Sequence, residues 1–276
     1  MTMAPQDFFP QLAGWVASLD DVFPGKQIKP YFAWWEVGHL LSLILLGGSS
    51  ILLNLRLIGA GLTEETPAQM HRNIRVWMTI GVVGIITTGL LIGSANAERL
   101  YTSEAFTAKM IGLAAAIILT FGVSLPAAKA DGRVGAPQRI AGVLGLAVFA
   151  LALWVFFSAK LSNPGLWHVL TAAALIVLYV TRGAVRWVYL GGMGALIIIQ
   201  QVLTHITIKP DDYARLDPVN KAFGFVFLGW IALAAFVQIV RGRGGGDTSA
   251  FVKGMAYAAL LVWVMTAAAG RWLAFA

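Results

Sequence analysis

The sequence contains no cysteine and few charged residues. The absence of cysteine excludes disulfides, thiolate metal sites, iron–sulfur clusters and covalently attached c-type haem. Charged residues make up only 12% of the chain and hydrophobic residues 58%, whereas a soluble domain has roughly one-quarter charged residues. The composition therefore predicts a polytopic membrane protein in which any metal ion is held by His, Met, Lys or oxygen ligands.

The start of the chain also lacks the pattern of a cleavable signal peptide. Residues 1–30 have no basic start, and Asp7, Pro10 and Pro24 interrupt their apolar stretches. This segment is too short and too polar to span a bilayer, which favours an interfacial N-terminal segment. The net charge of +7 is spread over predicted helix ends rather than gathered in a patch, so nucleic acid is not a predicted partner.

Eight hydrophobic runs follow residue 30, and most are near the roughly 20 residues that cross a bilayer. Turn-forming Pro, Gly, Asn and Asp residues separate them. The predicted fold is all-α, with about eight transmembrane helices surrounded by the lipid bilayer. Weak similarity between the two halves predicts two parallel four-helix-bundle repeats, a first bundle at residues 31–160 and a second at residues 161–276.

The first run, residues 31–61, carries a polar stripe along one helix face, from Glu36 and His39 to Asn54. An ionisable residue inside a bilayer is unfavourable without a partner, which makes His39 a candidate functional residue. By depth, further ionisable side chains belong to the same outer layer of the membrane. These are His168, His205, Lys109 and Lys221.

Neutral imidazoles on facing helices of a bundle suit axial ligation of a b-type haem. The first-choice metal ligands are His39 and His168, with His205 or Lys109 as substitutes. Arg99 and Lys109 are placed to neutralise haem propionates. Glu36 lies three residues before His39 and is therefore placed to accept the second imidazole N–H.

This pattern leaves several interpretations open. The leading hypothesis is a haem b protein that transfers electrons or anchors a redox complex in the membrane. A second is a cofactor-free subunit that binds a quinone, a redox-protein partner or another copy of itself, with its histidines serving as hydrogen-bonded helix contacts. A third is a copper-handling protein. No Gly-rich phosphate loop, His-Glu-x-x-His helix or nucleophile elbow is present, so catalytic residues are unassigned and enzymatic activity is left open.

The stretch from His39 to Gly59, HLLSLILLGGSSILLNLRLIG, resembles the opening helix of an uncharacterised family of bacterial integral-membrane domains. That family has a His, a Gly some eight residues on, and a [DN]-L-R-L-[LI]-G ending. The similarity covers about the first 160 residues and continues through Trp77, Thr88 to Leu91, Ala105 to Lys109, and Trp154.

More distantly, His39 and Lys109 are similar to residues of CopD-type copper-resistance and HemJ-type haem membrane proteins. These resemblances imply haem or copper and a multi-pass protein of the bacterial cytoplasmic (inner) membrane. The distribution of Lys and Arg between loops places both termini in the periplasm.

Overall fold

The computed structural model describes residues 3–158, 162–208, 212–241 and 248–273. Within these ranges the regular structure is helical and no strand forms, as predicted for an all-α protein. The predicted division between the two bundles, at residues 160 and 161, lies outside the described residues. The α-helices are α1 (Pro5–Phe8), α2 (Ala13–Ser18), α3 (Gly25–Ile28), α4 (Phe32–Ile58), α5 (Pro67–Ser94), α6 (Ala97–Tyr101), α7 (Glu104–Leu119), α8 (Leu125–Lys129), α9 (Ala136–Ser158), α10 (Ser162–Val180), α11 (Gly183–Gln201), α12 (Tyr213–Arg241) and α13 (Ala250–Trp272).

Seven helical segments within the described ranges are long and apolar enough to cross a membrane. They are Gly25–Ile58, Pro67–Ser94, Glu104–Lys129, Ala136–Ser158, Gly183–Ile206, Ala214–Arg241 and Ala250–Arg271. The remaining predicted span corresponds to α10, in which Trp167–Val180 forms a shorter apolar segment. The protein is therefore a multi-pass helical membrane protein, and the lipid bilayer is its surroundings.

Local sequence signals fix the ends of these helices. The Thr66 side chain accepts from the backbone N–H of Gln69, and the Gln69 side chain accepts in return from the Thr66 N–H, which caps the start of α5. Pro67 occupies the first turn, where its missing N–H is harmless. Gly59 ends α4 with a positive φ of 91°, a conformation that glycine adopts without strain.

The C-terminal helix α13 is a central element of the core. It packs against α7, α4 and α10, while α4 packs against α5 and α7 against α9. Small residues allow the close crossing between α7 and α13. A Cβ at Gly112 of α7 would lie 2.5 Å from Met265 Cε and 2.7 Å from Thr266 Oγ1 of α13.

The N-terminal segment folds over one end of these helices. α1 contacts α6 and α7, α2 contacts α6, and α3 contacts α5. The Tyr101 hydroxyl donates to the Phe9 carbonyl at 2.6 Å, and the Met3 N–H donates to Glu104 Oε1 at 3.3 Å. Since α4 and α7 begin at this end and α5 finishes there, the segment covers the space between three spans.

Candidate functional site

A cavity of about 540 Å³ lies under the N-terminal segment. The first residues of the chain, α5, α6 and α7 supply most of its wall, and most lining side chains are apolar. Its polar side chains include His39 from α4, Lys109 from α7 and Thr266 from α13. The structure thus brings together two of the residues that the sequence singled out, His39 and Lys109. We refer to this space as the outer cavity.

His39 is held by a hydrogen bond between neighbouring spans. Its Nδ1 lies 2.8 Å from Thr88 Oγ1 of α5, and the Thr88 hydroxyl donates to the Gly84 carbonyl at 2.6 Å. Because a hydroxyl has one proton, Nδ1 carries the imidazole hydrogen and donates it to Thr88. In the neutral form of this tautomer, Nε2 keeps its lone pair for another partner. Gly89 makes room for the ring, since a Cβ there would lie 3.3 Å from His39 Cε1.

Lys109 is the cation of the outer cavity. Among the described residues its ammonium makes no hydrogen bond or ion pair. Gly270 of α13 gives the side chain room, because a Cβ there would lie 3.6 Å from Lys109 Nζ. A half-buried ammonium beside apolar walls attracts anionic oxygen atoms.

A second polar feature continues from the outer cavity into the core. Thr266 lies one turn along α13 from Trp263, whose indole N–H donates to Thr120 Oγ1 at 2.9 Å. Ser124 lies four residues after Thr120 and donates to Asn54 Oδ1 of α4 at 2.8 Å. All these side chains, together with Ser50, are buried. We call the set the polar track: Ser50, Asn54, Thr120, Ser124, Trp263 and Thr266.

Asn54 has all of its side-chain groups satisfied within the polar track. Its Nδ2 donates to the Ser50 carbonyl at 2.8 Å and to Ser50 Oγ at 3.1 Å, while Oδ1 accepts from Ser124. Arg56 follows at the end of α4 and donates from Nε to the Glu65 carbonyl. Because Asn54 and Ser124 lie near the far ends of their spans, the polar track leads from the outer cavity toward the opposite end of these helices.

A π-helical turn, Thr120–Ser124, carries two members of the polar track. It ends two residues before Pro126, which has no N–H to donate and whose ring would collide with the carbonyl of Gly122 in a regular helix. The local change of pitch accommodates this proline. Such π-turns occur frequently at functional sites in helices.

The other predicted site residues lie apart from the outer cavity. Glu36 is exposed, and because His39 Nδ1 donates to Thr88, the carboxylate does not orient the ring. Arg99 of α6 donates to the Leu273 carbonyl at 2.6 Å, next to the end of α13. Lys221 of α12 forms an ion pair of 2.7 Å with Asp217.

The remaining histidines do not join His39. His168 is exposed on α10, and His205 is exposed in a π-helical turn, with Nδ1 2.9 Å from Thr204 Oγ1. Within the described ranges, no three His, Asp or Glu side chains form a group that could hold a metal ion. The assignment of these residues to a cofactor or metal site stays a prediction.

Sequence reasoning assigned no role to most of the polar track. Asn54 belongs to the polar stripe of the first run, but it is not ionisable, and Thr120, Ser124 and Thr266 also carry no charge that would mark them. Pro126 inside the third hydrophobic run was the available signal, because an internal proline predicts a distorted helix with free polar groups.

Comparison with known proteins identifies the family. Residues 23–168, more than half of the chain, match the family described as "Family of unknown function (DUF6644)". The chain belongs to this family. The predicted membership in an uncharacterised family is confirmed, whereas the sequence signature assigned to that family and the similarity of this DUF6644 protein to CopD-type and HemJ-type proteins stay predictions.

Curated relatives of the chain carry a functional name. The DUF6644 protein is 31% identical over 152 residues, 54% of its own chain and 72% of the relative, to "Putative manganese efflux pump MntP" of Neisseria gonorrhoeae. It is 29% identical over 149 residues, 53% of its chain and 70% of the relative, to the protein of the same name from Neisseria meningitidis serogroup B. No solved structure matches the chain.

These relatives overturn the leading hypothesis from the sequence. Their name describes the efflux of manganese, not haem binding or electron transfer, so the prediction of a haem b electron carrier or redox anchor is wrong. The geometry gives a physical reason for the error. Histidines at similar predicted depth were taken as facing one another, but only His39 lines the outer cavity.

Proposed function

We propose that this DUF6644 protein transports a divalent metal ion across the bacterial inner membrane. The supporting observation is the polar track, which extends from the outer cavity into the core and contains the oxygen atoms of Ser50, Asn54, Thr120 and Ser124. The similarity to relatives named as manganese efflux pumps supports the choice of a metal ion as cargo.

The donor atoms of the polar track suit a hard cation. Amide, hydroxyl and backbone carbonyl oxygens are the kinds of ligand that Mg²⁺, Ca²⁺ and Mn²⁺ take, whereas thiolate and thioether ligands select Cu(I). The absence of carboxylates makes binding weak, because affinity in oxygen sites rises with the number of charged ligands. Weak binding suits an ion in transit.

Two positively charged side chains near the ends of the polar track repel an entering cation. Lys109 lies at the outer cavity and Arg56 near the other end of the polar track, and both oppose the entry of a cation. Transport therefore requires a movement of these side chains or a counter-anion. The hydrogen bond from Ser124 to Asn54 must also exchange for an ion ligand, which requires α4 to separate from the span that contains the π-turn.

Mn²⁺ flux into vesicles tests this proposal. The full chain is reconstituted into liposomes that contain a Mn²⁺-sensitive dye, and uptake is compared with empty liposomes. Ser124→Ala removes one oxygen ligand, and a ligand interaction of about 1.4 kcal/mol corresponds to a tenfold change in occupancy. We expect Mn²⁺ flux to fall about tenfold in this variant.

Ser158→Ala is the matched control, since Ser158 is an exposed serine whose hydroxyl donates within its own helix, to the Trp154 carbonyl at 2.8 Å, and not to another span. This variant keeps wild-type flux. A purified, folded protein that moves no more Mn²⁺ than empty liposomes contradicts the proposal. Equal flux in the two serine variants would instead exclude the polar track as the route.

A further inference from the structure

We infer that the outer cavity binds a long-chain carboxylate from the bilayer, with its anionic head at Lys109. The site is independent of the proposed transport of a metal ion. Its volume of about 540 Å³ lies within the roughly 300–1,000 Å³ of small-molecule sites. The argument depends on where the cavity opens, what its wall is made of and which polar groups it contains.

The mouth of the outer cavity opens toward lipid. Ile86 and Leu90 of α5 and Met110 of α7 line the cavity and are also exposed on the outside of the helices, Leu90 with 70% of its surface. An opening between two spans, framed by apolar side chains, admits molecules dissolved in the bilayer rather than in water. The ligand is therefore lipophilic over most of its length.

The positive charge of Lys109 favours a ligand with an anionic head group. This ammonium has no ion-pair partner in the part of the chain that the structure describes, and an unpaired charge at this depth is unfavourable. A carboxylate supplies the missing charge and accepts up to several hydrogen bonds. The Thr266 hydroxyl donates to the Val262 carbonyl, so it contributes no free proton, and Lys109 is the main anchor.

A single chain fits this cavity better than a diacyl lipid. The N-terminal segment forms one wall through Trp15, Val16 and Leu19, so the space beside Lys109 is covered rather than open to the surface. A phosphodiester head with its glycerol and two acyl chains needs a wider entrance and contact with the membrane surface. A carboxylate with one alkyl chain needs neither.

Competition binding tests the inference on the full chain in nanodiscs of zwitterionic phosphatidylcholine. Radiolabelled oleate is the probe, and unlabelled oleate, oleyl alcohol, phosphatidylglycerol and a ubiquinone are the competitors. Oleyl alcohol has the same chain without the charge, and we expect it to compete about tenfold more weakly because a charge-assisted hydrogen bond is lost. Phosphatidylglycerol and ubiquinone are expected to compete more weakly still.

Three lysine variants complete the test. Lys109→Met removes the charge at similar length and lowers oleate affinity about tenfold or more, whereas Lys109→Arg retains the charge and most of the binding. Lys221→Met is the matched control, because Lys221 is paired with Asp217 and lies outside the outer cavity. This variant leaves the affinity for oleate unchanged.

Two results overturn the inference: competition by oleyl alcohol equal to that by oleate, or unchanged oleate affinity in Lys109→Met. Stronger competition by phosphatidylglycerol or ubiquinone than by oleate overturns the assigned ligand class.

Discussion

The outer cavity and the polar track differ in how far their polar groups are satisfied. In the outer cavity, the Lys109 ammonium has no ion pair among the described residues, and His39 retains a free Nε2. In the polar track, Asn54 is fully buried and every group of its amide is hydrogen-bonded. Polar groups without hydrogen-bond partners beside a cavity bind a ligand without rearrangement of the protein. Polar groups that are fully hydrogen-bonded in a packed core must first break those bonds before they bind a ligand.

This difference separates the two proposed ligands physically. An anion reaches Lys109 through the lipid-facing mouth without breaking a hydrogen bond of the protein. An ion in the polar track displaces hydrogen bonds between α4 and the π-turn, and it therefore requires a second arrangement of these helices. The two regions meet at Thr266, which lines the outer cavity and begins the polar track.

The junction of the two regions is the place where a substitution has the largest expected effect. Gly112 faces Thr266 and Met265, and its substitution by valine would push α7 and α13 apart. Overpacking of this kind destabilises a protein by about 3 kcal/mol. Thermal unfolding of Gly112→Val in nanodiscs is expected to show this loss together with weaker oleate binding and slower Mn²⁺ flux.

Gly191→Val provides the control for this prediction. Gly191 is an exposed glycine of α11, and no atom lies within 4 Å of a Cβ at that position. We expect nearly unchanged unfolding, oleate binding and flux. If Gly112→Val leaves all three unchanged as well, the two regions do not share the α7–α13 crossing.

Composition and hydrophobic length were sufficient to predict the multi-pass helical fold, because a bilayer demands long apolar helices with few charges. Which helices contact one another was harder to predict from the sequence. Lys109 and His39 could be expected at one end from their positions early in their spans, but the contact of α13 with α4 and α7 depends on complementary surfaces such as Gly112 against Thr266.

The candidate site was predicted only in part for the same reason. His39 and Lys109 were identified because ionisable residues are rare in membrane spans, and both line the outer cavity. Thr88, the partner of His39, and Ser124, the partner of Asn54, are neutral residues that occur commonly in membrane helices. Only the rotation and depth of each helix show that their hydroxyls face these partners.

A tryptophan comparison probes the polar track alone. Trp263→Phe removes the indole N–H that bonds Thr120 Oγ1 in the core, and we expect a loss of about 1–2 kcal/mol in unfolding free energy. Trp154→Phe is the matched control, because that side chain is 64% exposed on α9, and its loss is expected to be negligible. Oleate binding stays at the wild-type level in both variants. A loss of oleate binding in Trp263→Phe alone would show that the two regions are not separable.

The smallest expected loss of stability comes from a threonine substitution, Thr88→Val, that tests the tautomer of His39. Thr88→Val removes the acceptor of the Nδ1 hydrogen, so the ring is expected to favour the Nε2–H tautomer, with a loss of about 0.6 kcal/mol in stability. Thr79→Val is the control, because it removes a hydroxyl on the exposed face of the same helix that donates to the Arg75 carbonyl at 2.9 Å.

The chain has only four histidines, so ¹⁵N spectra of histidine-labelled protein resolve a change of tautomer at one of them. One imidazole signal should shift in Thr88→Val and none in Thr79→Val, and an unshifted spectrum in Thr88→Val would mean that Nδ1 is not the donor. Since the Nε2 lone pair would then no longer be free, the contrast between an unsatisfied outer cavity and a saturated polar track would depend on Lys109 alone.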